Sequence, residues 1–392
     1  MIERRSHAEA GTDPATSMSW TNGMTKPGKK EPGLRPGQRY ILKDFNGVLH
    51  PGEMMLVVGR PGSGCSTLLK ALAGLTGAYA GTDGFVQYGN LDSQAKEFRP
   101  YRSQVCFNSE EDVHDPNLTV GRTMDFATRN ELVAPAARPV NNGSPLSNEE
   151  YRQGVKDDLL STFGISHTHD TRVGDQYVRG VSGGERRRLT IAEAMTTDSS
   201  IYCWDNATRG LDANTALSYT KVCRSMCDNQ AKVNVVSLYQ AGNAIYNLFD
   251  KVTVIAEGHV IYYGPRTAAR EYFENLGFVH LDGANTADFL TAVTALDERK
   301  VRPDYDGPVP NTAAEFAAVY QRSDMARNMR QELEAHLADT AELDANTSSV
   351  KERVEEKKNK GVSSKSPQIT GFGAQLKSAL IREYQQRWGD KW

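Results

Sequence analysis

Residues 54–74 read MMLVVGRPGSGCSTLLKALAG, an apolar run followed by a glycine-rich loop and then by a segment with helical spacing. The run Met54–Val58 has the length of a buried strand, and the helical segment ends at Gly74. Residues 59–66 fit the phosphate-binding pattern G-x-x-x-x-G-K-[ST] at each fixed position except the lysine, where Cys65 stands. Taken alone, the motif leaves open a chance glycine loop between a strand and a helix.

The glycines of this loop allow backbone N–H groups to point inward at phosphate oxygens. The helix that follows presents its positive N-terminus to the same anion. Ser66 carries a hydroxyl that can ligate Mg²⁺. The candidate nucleotide contacts in the loop are Gly59, Gly62, Ser63, Gly64, Cys65, Ser66 and Thr67.

The cysteine at position 65 predicts a site that binds nucleotide better than it turns it over. A lysine ammonium beside a phosphate contributes on the order of 4 kcal/mol at intermediate dielectric. The backbone hydrogen bonds to phosphate, roughly 1.5–3 kcal/mol each, do not depend on that lysine. Stabilisation of charge that develops on the terminal phosphate suffers more. We expect that Lys70 cannot replace the cation, because it lies more than a helical turn further on and on another face.

Two further motifs follow in order, VSGGE at residues 181–185 and WDNATRGLD at residues 204–212. With the glycine loop they resemble the nucleotide-binding domain of ABC transporters, and coincidence of three ordered motifs is improbable. The stretches GRPGSGCST, VSGGERRRLTIAEA and WDNATRGLD are similar to the N-terminal cassette of fungal pleiotropic-drug-resistance proteins of the G subfamily. The likeness covers roughly residues 40–293 and returns in REYQQRWGDK near the C-terminus.

The resemblance implies an α/β fold of the ABC type. It comprises a mainly parallel sheet, an antiparallel β subdomain, an inserted helical subdomain and a C-terminal helical extension. It also implies ATP and Mg²⁺ as ligands, with Ser66 and Asp205 as the metal contacts. A helix N-cap is the alternative role for Asp205. By the same resemblance Asn206 occupies the position of the general-base glutamate, Tyr239 that of the switch histidine, and Glu110 that of the glutamine at the start of the coupling loop.

An asparagine cannot accept a proton at neutral pH, and loss of such a base typically removes about 10²–10⁴ in rate. We therefore expect weak or no hydrolysis at the chain's own site. The SGGE loop is intact, and in this family it closes over the nucleotide of a partner cassette. Its alternative reading is an ordinary capping box. The residues expected at that dimer seam are Ser182, Gly183, Gly184, Glu185 and Asp212.

The pattern of composition predicts five consecutive segments, one of which contains a subdomain. They are a mobile tail over 1–38, the nucleotide-binding domain over 39–266 with a helical subdomain over 119–197, a helical extension over 267–340, a charged mobile linker over 341–366, and an amphipathic helix over 367–392. No apolar run approaches the ~20 residues of a membrane span. The resemblance places the chain on the cytosolic face of the plasma membrane, with a catalytically intact second cassette and transmembrane domains in the full-length chain as partners.

Other features are given ordinary interpretations. The net charge of −3 gives no reason to expect nucleic-acid binding. Cys223 and Cys227 are predicted to be buried thiols and not a metal site, and Arg186–Arg188 a solvated helix face. Residues 1–38 show no pattern of the early strand that supplies an adenine-stacking aromatic in ABC cassettes, so Trp20 and Tyr40 are weak candidates for that contact.

Two rival functions remain open. A stand-alone regulatory nucleotide-binding protein without transport activity is compatible with a chain that has no membrane segment. A soluble ABC ATPase of DNA repair or translation is disfavoured, because residues 67–181 contain no long coiled coil and a second cassette is absent.

Overall fold

The computed structural model describes residues 16–21 and 39–388. In this part of the chain the strands are β1 (Met18–Thr21), β2 (Gly47–Leu49), β3 (Met54–Gly59), β4 (Phe85–Tyr88), β5 (Leu91–Asp92), β6 (Val105–Asn108), β7 (Val140–Asn141), β8 (Ser144–Pro145), β9 (Ile201–Asp205), β10 (Val233–Ser237), β11 (Lys251–Ala256) and β12 (His259–Pro265).

The helices of the same part are α1 (Cys65–Leu72), α2 (Val120–Asn130), α3 (Asn148–Thr162), α4 (Gly183–Met195), α5 (Ala213–Gln230), α6 (Asn243–Tyr246), α7 (Arg266–Asn275), α8 (Thr286–Ala292), α9 (Ala313–Arg322), α10 (Asp324–Ala338), α11 (Thr340–Lys357) and α12 (Phe372–Trp388). None of these helices is long and apolar enough to cross a bilayer.

The central sheet has six strands in the order β12-β11-β3-β10-β9-β6. The pairs from β11 through β6 are parallel, and only β12 joins antiparallel, through the hairpin with β11. A separate antiparallel sheet has the order β2-β1-β4-β5. The predicted fold class, a mainly parallel sheet with an antiparallel β subdomain and inserted helices, is confirmed.

Both faces of the central sheet are buried, as the near-continuous apolar run of β3 requires. Met54, Leu56 and Val58 pack in one cluster with side chains of α2, α4 and α5. The alternate residues Met55 and Val57 pack on the other face with α1 and with β1. The two clusters hold the strand ends in fixed positions, and the loops after those ends carry the candidate site.

The prediction that residues 1–38 contain no strand is wrong. Met18–Thr21 forms β1, an inner strand that pairs with β2 on one side and β4 on the other. Trp20 is 4% exposed and its ring contacts Tyr263 edge-on at 5.9 Å between centroids. A Cβ on Gly47 would lie 2.5 Å from the Trp20 ring, so only glycine fits opposite it. Four residues are too short a run to reveal a pairing partner that lies distant in sequence. Residues 1–15 and 22–38 lie outside the described part.

The prediction of a mobile linker over residues 341–366 is also wrong in its first half. Thr340–Lys357 is a helix, and its buried face consists of Leu343, Thr347, Val350 and Val354. The Lys357 ammonium lies 2.6 Å from the Asp198 carboxylate, which fixes the helix end to the domain. Within the predicted helical extension over 267–340, Ser323 separates α9 from α10, and its hydroxyl caps α10.

Replacing Trp20 with alanine tests the structural role of β1. Loss of a buried tryptophan from a tight contact is expected to lower the free energy of unfolding by roughly 3–5 kcal/mol. The measurement is the urea midpoint. The matched control is Trp388→Ala, because Trp388 is 56% exposed and its loss is expected to cost less than about 0.5 kcal/mol. Equal effects of the two changes would contradict an inner position for β1.

Candidate nucleotide site

Four neighbouring parallel strands end at one edge of the central sheet. Their last residues are Gly59 of β3, Ser237 of β10, Asp205 of β9 and Asn108 of β6. The loops that follow carry the glycine-rich segment, Tyr239, Asn206 and Glu110. Sheet order therefore brings together residues that are up to about 180 positions apart in the chain, at the edge where open α/β sheets bind ligands.

The glycine-rich loop has the backbone that its sequence predicts. Gly62 and Gly64 have φ of +84° and +113°, which favours glycine at both positions. A Cβ on Gly59 would lie 2.4 Å from Ser63 Oγ and 2.6 Å from the Ile255 carbonyl, so the loop closes without room for a side chain. Helix α1 begins directly at Cys65, and its first N–H groups face the loop.

Cys65 is a neutral group in this cradle. The side chain is buried, and its Sγ lies 3.6 Å from Ser63 Oγ. Burial raises the pKa of the thiol to about 11, so it carries no charge near neutral pH. The Lys70 ammonium lies 6.0 Å from the centre of the Phe107 ring, directed toward β6. The geometry agrees with the expectation that Lys70 does not replace the missing cation.

The two predicted metal contacts lie together. Ser66 Oγ donates to Asp205 Oδ1 at 2.9 Å, and Ser237 Oγ donates to the same oxygen at 2.9 Å. Ser237 Oγ in turn accepts from the Asn206 backbone N–H at 3.0 Å. A hydroxyl and a carboxylate at the mouth of a phosphate loop are the oxygen ligands that Mg²⁺ takes alongside phosphate and water. The carboxylate of Asp205 caps none of the described helices, so the alternative role considered for it is not the one observed.

The residues at the base and switch positions also converge. Asn206 Nδ2 donates to Glu110 Oε1 at 3.1 Å, and Arg209 Nη1 donates to the same oxygen at 3.0 Å. Burial raises the pKa of the Tyr239 phenol, and the negative charges of Glu110 and Asp205 raise it further. Asn206 itself cannot act as a base in this position, because a neutral amide does not accept a proton at neutral pH.

The SGGE loop and Asp212 lie at the starts of two other helices. Ser182 Oγ accepts from the Glu185 backbone N–H at 3.3 Å, and Glu185 Oε2 accepts from the Ser182 N–H at 2.8 Å. This capping box leaves Ser182 exposed at the tip of α4. A Cβ placed on Gly184 would lie 3.4 Å from the Gly210 carbonyl, so the loop borders the segment that leads to Asp212. Asp212 caps α5 through the Asn214 and Thr215 N–H groups.

The expectation that Arg186–Arg188 form a solvated face is wrong for Arg187, which is 1% exposed. Its guanidinium donates to the Ala207 carbonyl at 3.0 Å, the Asp205 carbonyl at 3.2 Å and the Ser109 carbonyl at 2.8 Å. It also forms an ion pair with Asp112 at 3.1 Å. Through Arg187, helix α4 holds the loop after β9 against the loop after β6. Three consecutive arginines give no sequence signal for this, because the burial of the middle one arises from tertiary packing.

Of the two aromatic candidates for adenine, Trp20 borders the same cavity as Tyr40 but is only 4% exposed, because Gly47 and Tyr263 pack against its ring. Tyr40 is 44% exposed. It lines a cavity of about 570 Å³ together with Leu42, Thr67 and Ala71, beside the first turn of α1. Tyr40 therefore remains the candidate contact for the base.

The cysteine pair on α5 behaves as predicted. Cys223 and Cys227 are 0% and 1% exposed, and the Asn234 amide contacts the Cys227 sulfur at 3.1 Å. Among the described residues no group of three histidine, cysteine or acidic side chains could hold a metal ion. The prediction of buried thiols is confirmed.

Comparisons with known proteins agree with this geometry. Residues 42–209 match the family model described as ABC transporter. The chain is 45% identical over 92% of its length to "ABC-type transporter cns4" of Cordyceps militaris and 47% identical over 90% to "ABC multidrug transporter H" of Aspergillus fumigatus. It is 41% identical over 90% to "ABC transporter G family member 21" of Dictyostelium discoideum. The chain spans about a quarter of these relatives, 26%, 24% and 24% of their lengths respectively.

Replacing Arg187 with methionine tests whether its buried contacts hold the loops after β6 and β9 together. The change leaves Asp112 and several carbonyls without their donor, so the free energy of unfolding is expected to fall by roughly 3–5 kcal/mol. Chemical denaturation measures it. The control Arg179→Met removes an exposed arginine near the same helix and is expected to change stability by less than about 0.5 kcal/mol. A loss for Arg187→Met no larger than the control's would rule out this role.

Proposed function

Because the chain belongs to the ABC transporter family, we propose that it binds Mg·ATP at its own cradle without hydrolysing it efficiently. In the same proposal it donates its intact SGGE loop to a partner cassette. The observation that supports inefficient hydrolysis is the hydrogen bond from Asn206 Nδ2 to Glu110 at 3.1 Å. An amide that donates at the base position cannot take a proton from water.

The binding half of the proposal is supported by what the cradle retains. The inward backbone of Gly62 and Gly64, the start of α1 and the Ser66–Asp205 pair do not depend on a lysine. These groups hold phosphate by hydrogen bonds and hold Mg²⁺ by oxygen ligands. Hydrolysis is weakened at two positions, by the neutral Cys65 thiol and by Asn206, because both lower the stabilisation of the transition state more than that of bound ATP.

The donating half is supported by the exposure of the signature loop. Ser182 and Gly183 are exposed at the N-terminus of a 13-residue helix, where the helix dipole favours an anion. A Cβ on Gly183 would meet nothing within 4 Å, so the loop surface is open to a partner. Asp212, the N-cap residue of α5, follows the segment that contacts this loop at Gly210.

The cellular role follows from the relatives by proposal. One of them is named as a multidrug transporter and another as a G-family transporter. We place this cassette at the cytosolic face of the plasma membrane, in an exporter of xenobiotic compounds. The transmembrane domains and the second cassette, with its intact catalytic site, would come from the rest of such a transporter.

The metal pair is tested by Ser66→Ala. Fluorescent ATP is titrated into the purified chain with Mg²⁺ and with EDTA. The variant is expected to lose on the order of tenfold in affinity with Mg²⁺ and to match the wild type in EDTA, since in the proposal the Ser66 hydroxyl acts on the nucleotide through the metal. Ser218→Ala, an exposed serine on α5, is the control. A loss that is equal with and without Mg²⁺ would contradict the assignment.

Loop donation is tested by complementation. The variant Cys65→Lys/Asn206→Glu is expected to release phosphate about 10²–10⁴ times faster than the wild type, because cation and base are restored. Adding Gly183→Asp places a charge on the donated loop and is expected to abolish this gain.

Mixing that triple variant with the wild-type chain should restore phosphate release, because the wild type supplies an intact loop to the repaired site. A mixture no faster than the sum of its components would contradict donation in trans. A double variant as slow as the wild type would contradict the assignment of Cys65 and Asn206 as the deficient positions.

A further inference from the structure

A tight turn that begins at Asn206 places Arg209 beside Glu110. Asn206 adopts φ of +45°, and the Arg209 N–H donates to the Asn206 carbonyl at 3.1 Å. This turn folds the chain after β9 back over itself and brings the Arg209 side chain to the Glu110 carboxylate, at 3.0 Å. Glu110 thus contacts Arg209 and Asn206 through one oxygen.

The side chains around the glycine-rich loop carry more negative than positive charge. Asp205 and Glu110 are carboxylates, Cys65 is a neutral thiol, and the triphosphate itself is strongly anionic even with Mg²⁺. Other basic side chains near the cradle are directed elsewhere. Arg60 faces Asp297 and Glu298 at 3.8 and 3.7 Å, and Arg187 is buried beneath the strand ends.

Arg209 differs from Arg187 in its access to solvent, and from Arg60, whose side chain is 47% exposed, in having a partner that also contacts Asn206. Its side chain is 63% exposed, and its partner Glu110 is 26% exposed. An exposed ion pair contributes little stability, so the guanidinium can exchange one oxyanion for another at small cost. A phosphate offers the guanidinium two parallel hydrogen bonds, which a carboxylate shared with Asn206 does not.

We propose that Arg209 supplies the cation that the Cys65 position lacks, by moving from Glu110 to the terminal phosphate of bound ATP. The inference rests on the proposed function, because it concerns the same nucleotide site. Glu110 keeps its hydrogen bond to Asn206 when the guanidinium leaves, so the loop after β6 stays in place. The cation enters from the loop after β9 instead of from the first turn of α1.

The rival role of Arg209 is to neutralise Glu110 and touch no nucleotide. The two roles differ in a double-mutant cycle. If Arg209 only neutralises Glu110, then Arg209→Gln leaves a repelling carboxylate and Glu110→Gln removes it again. The double variant would regain wild-type affinity. If Arg209 binds phosphate, removal of Glu110 cannot compensate for its loss.

The experiment titrates mant-ATP and mant-ADP, with Mg²⁺, into the purified 392-residue chain and its three variants. Arg209→Gln is expected to weaken ATP binding about tenfold or more and ADP binding less than about threefold, since ADP lacks the terminal phosphate. Glu110→Gln is expected to bind ATP at least as tightly as the wild type. The double variant is expected to be as weak as Arg209→Gln.

Recovery of wild-type ATP affinity in the double variant would overturn the proposal, as would an equal loss for ATP and ADP in Arg209→Gln. Arg209→Lys, which keeps the charge and loses the paired hydrogen bonds, should lie between the wild type and Arg209→Gln. Thermal unfolding of each variant checks that the fold is unchanged. A wild-type chain that binds neither nucleotide would instead overturn the proposed function, so the two failures are distinguishable.

Discussion

The site depends on the hydrogen bonds that converge on Asp205. One of its oxygens accepts from Ser66 at the start of α1 and from Ser237 at the end of β10. Its backbone carbonyl accepts from Arg187 of helix α4. A single residue at the end of β9 therefore fixes the glycine-rich loop, strand β10 and helix α4 relative to one another.

Such a site separates two requirements that most phosphate-binding enzymes combine. Holding a triphosphate needs inward N–H groups, a metal and a positive helix end, all of which come from backbone geometry and from Ser66 and Asp205. Splitting it needs charge and proton transfer at particular side chains. In the proposed function, Cys65, Asn206, Glu110 and Tyr239 all belong to the second group, whereas the first group rests on the loop glycines, Ser66 and Asp205.

The sequence was sufficient for the parts of the site that are local. Gly59–Ser66 is a strand, a loop and a helix start within eight residues, and its phosphate chemistry follows from spacing alone. The convergence of Glu110, Asn206 and Tyr239 came only from resemblance, because strand order decides it. Strand β1 was missed because four residues carry no record of partners that lie distant in the chain. Arg187 was assigned the wrong environment because a charge run is usually solvated.

The error over helix α11 had a usable signal. Leu343, Thr347, Val350 and Val354 follow the spacing of one helical face, but the surrounding charges suggested a linker.

The proposed function requires that ATP bound at this site remains intact. The direct measurement incubates the chain with Mg²⁺ and γ-labelled ATP, removes free nucleotide by rapid desalting, and identifies the nucleotide retained. The account predicts retained ATP with its label; retained ADP and released labelled phosphate would contradict it.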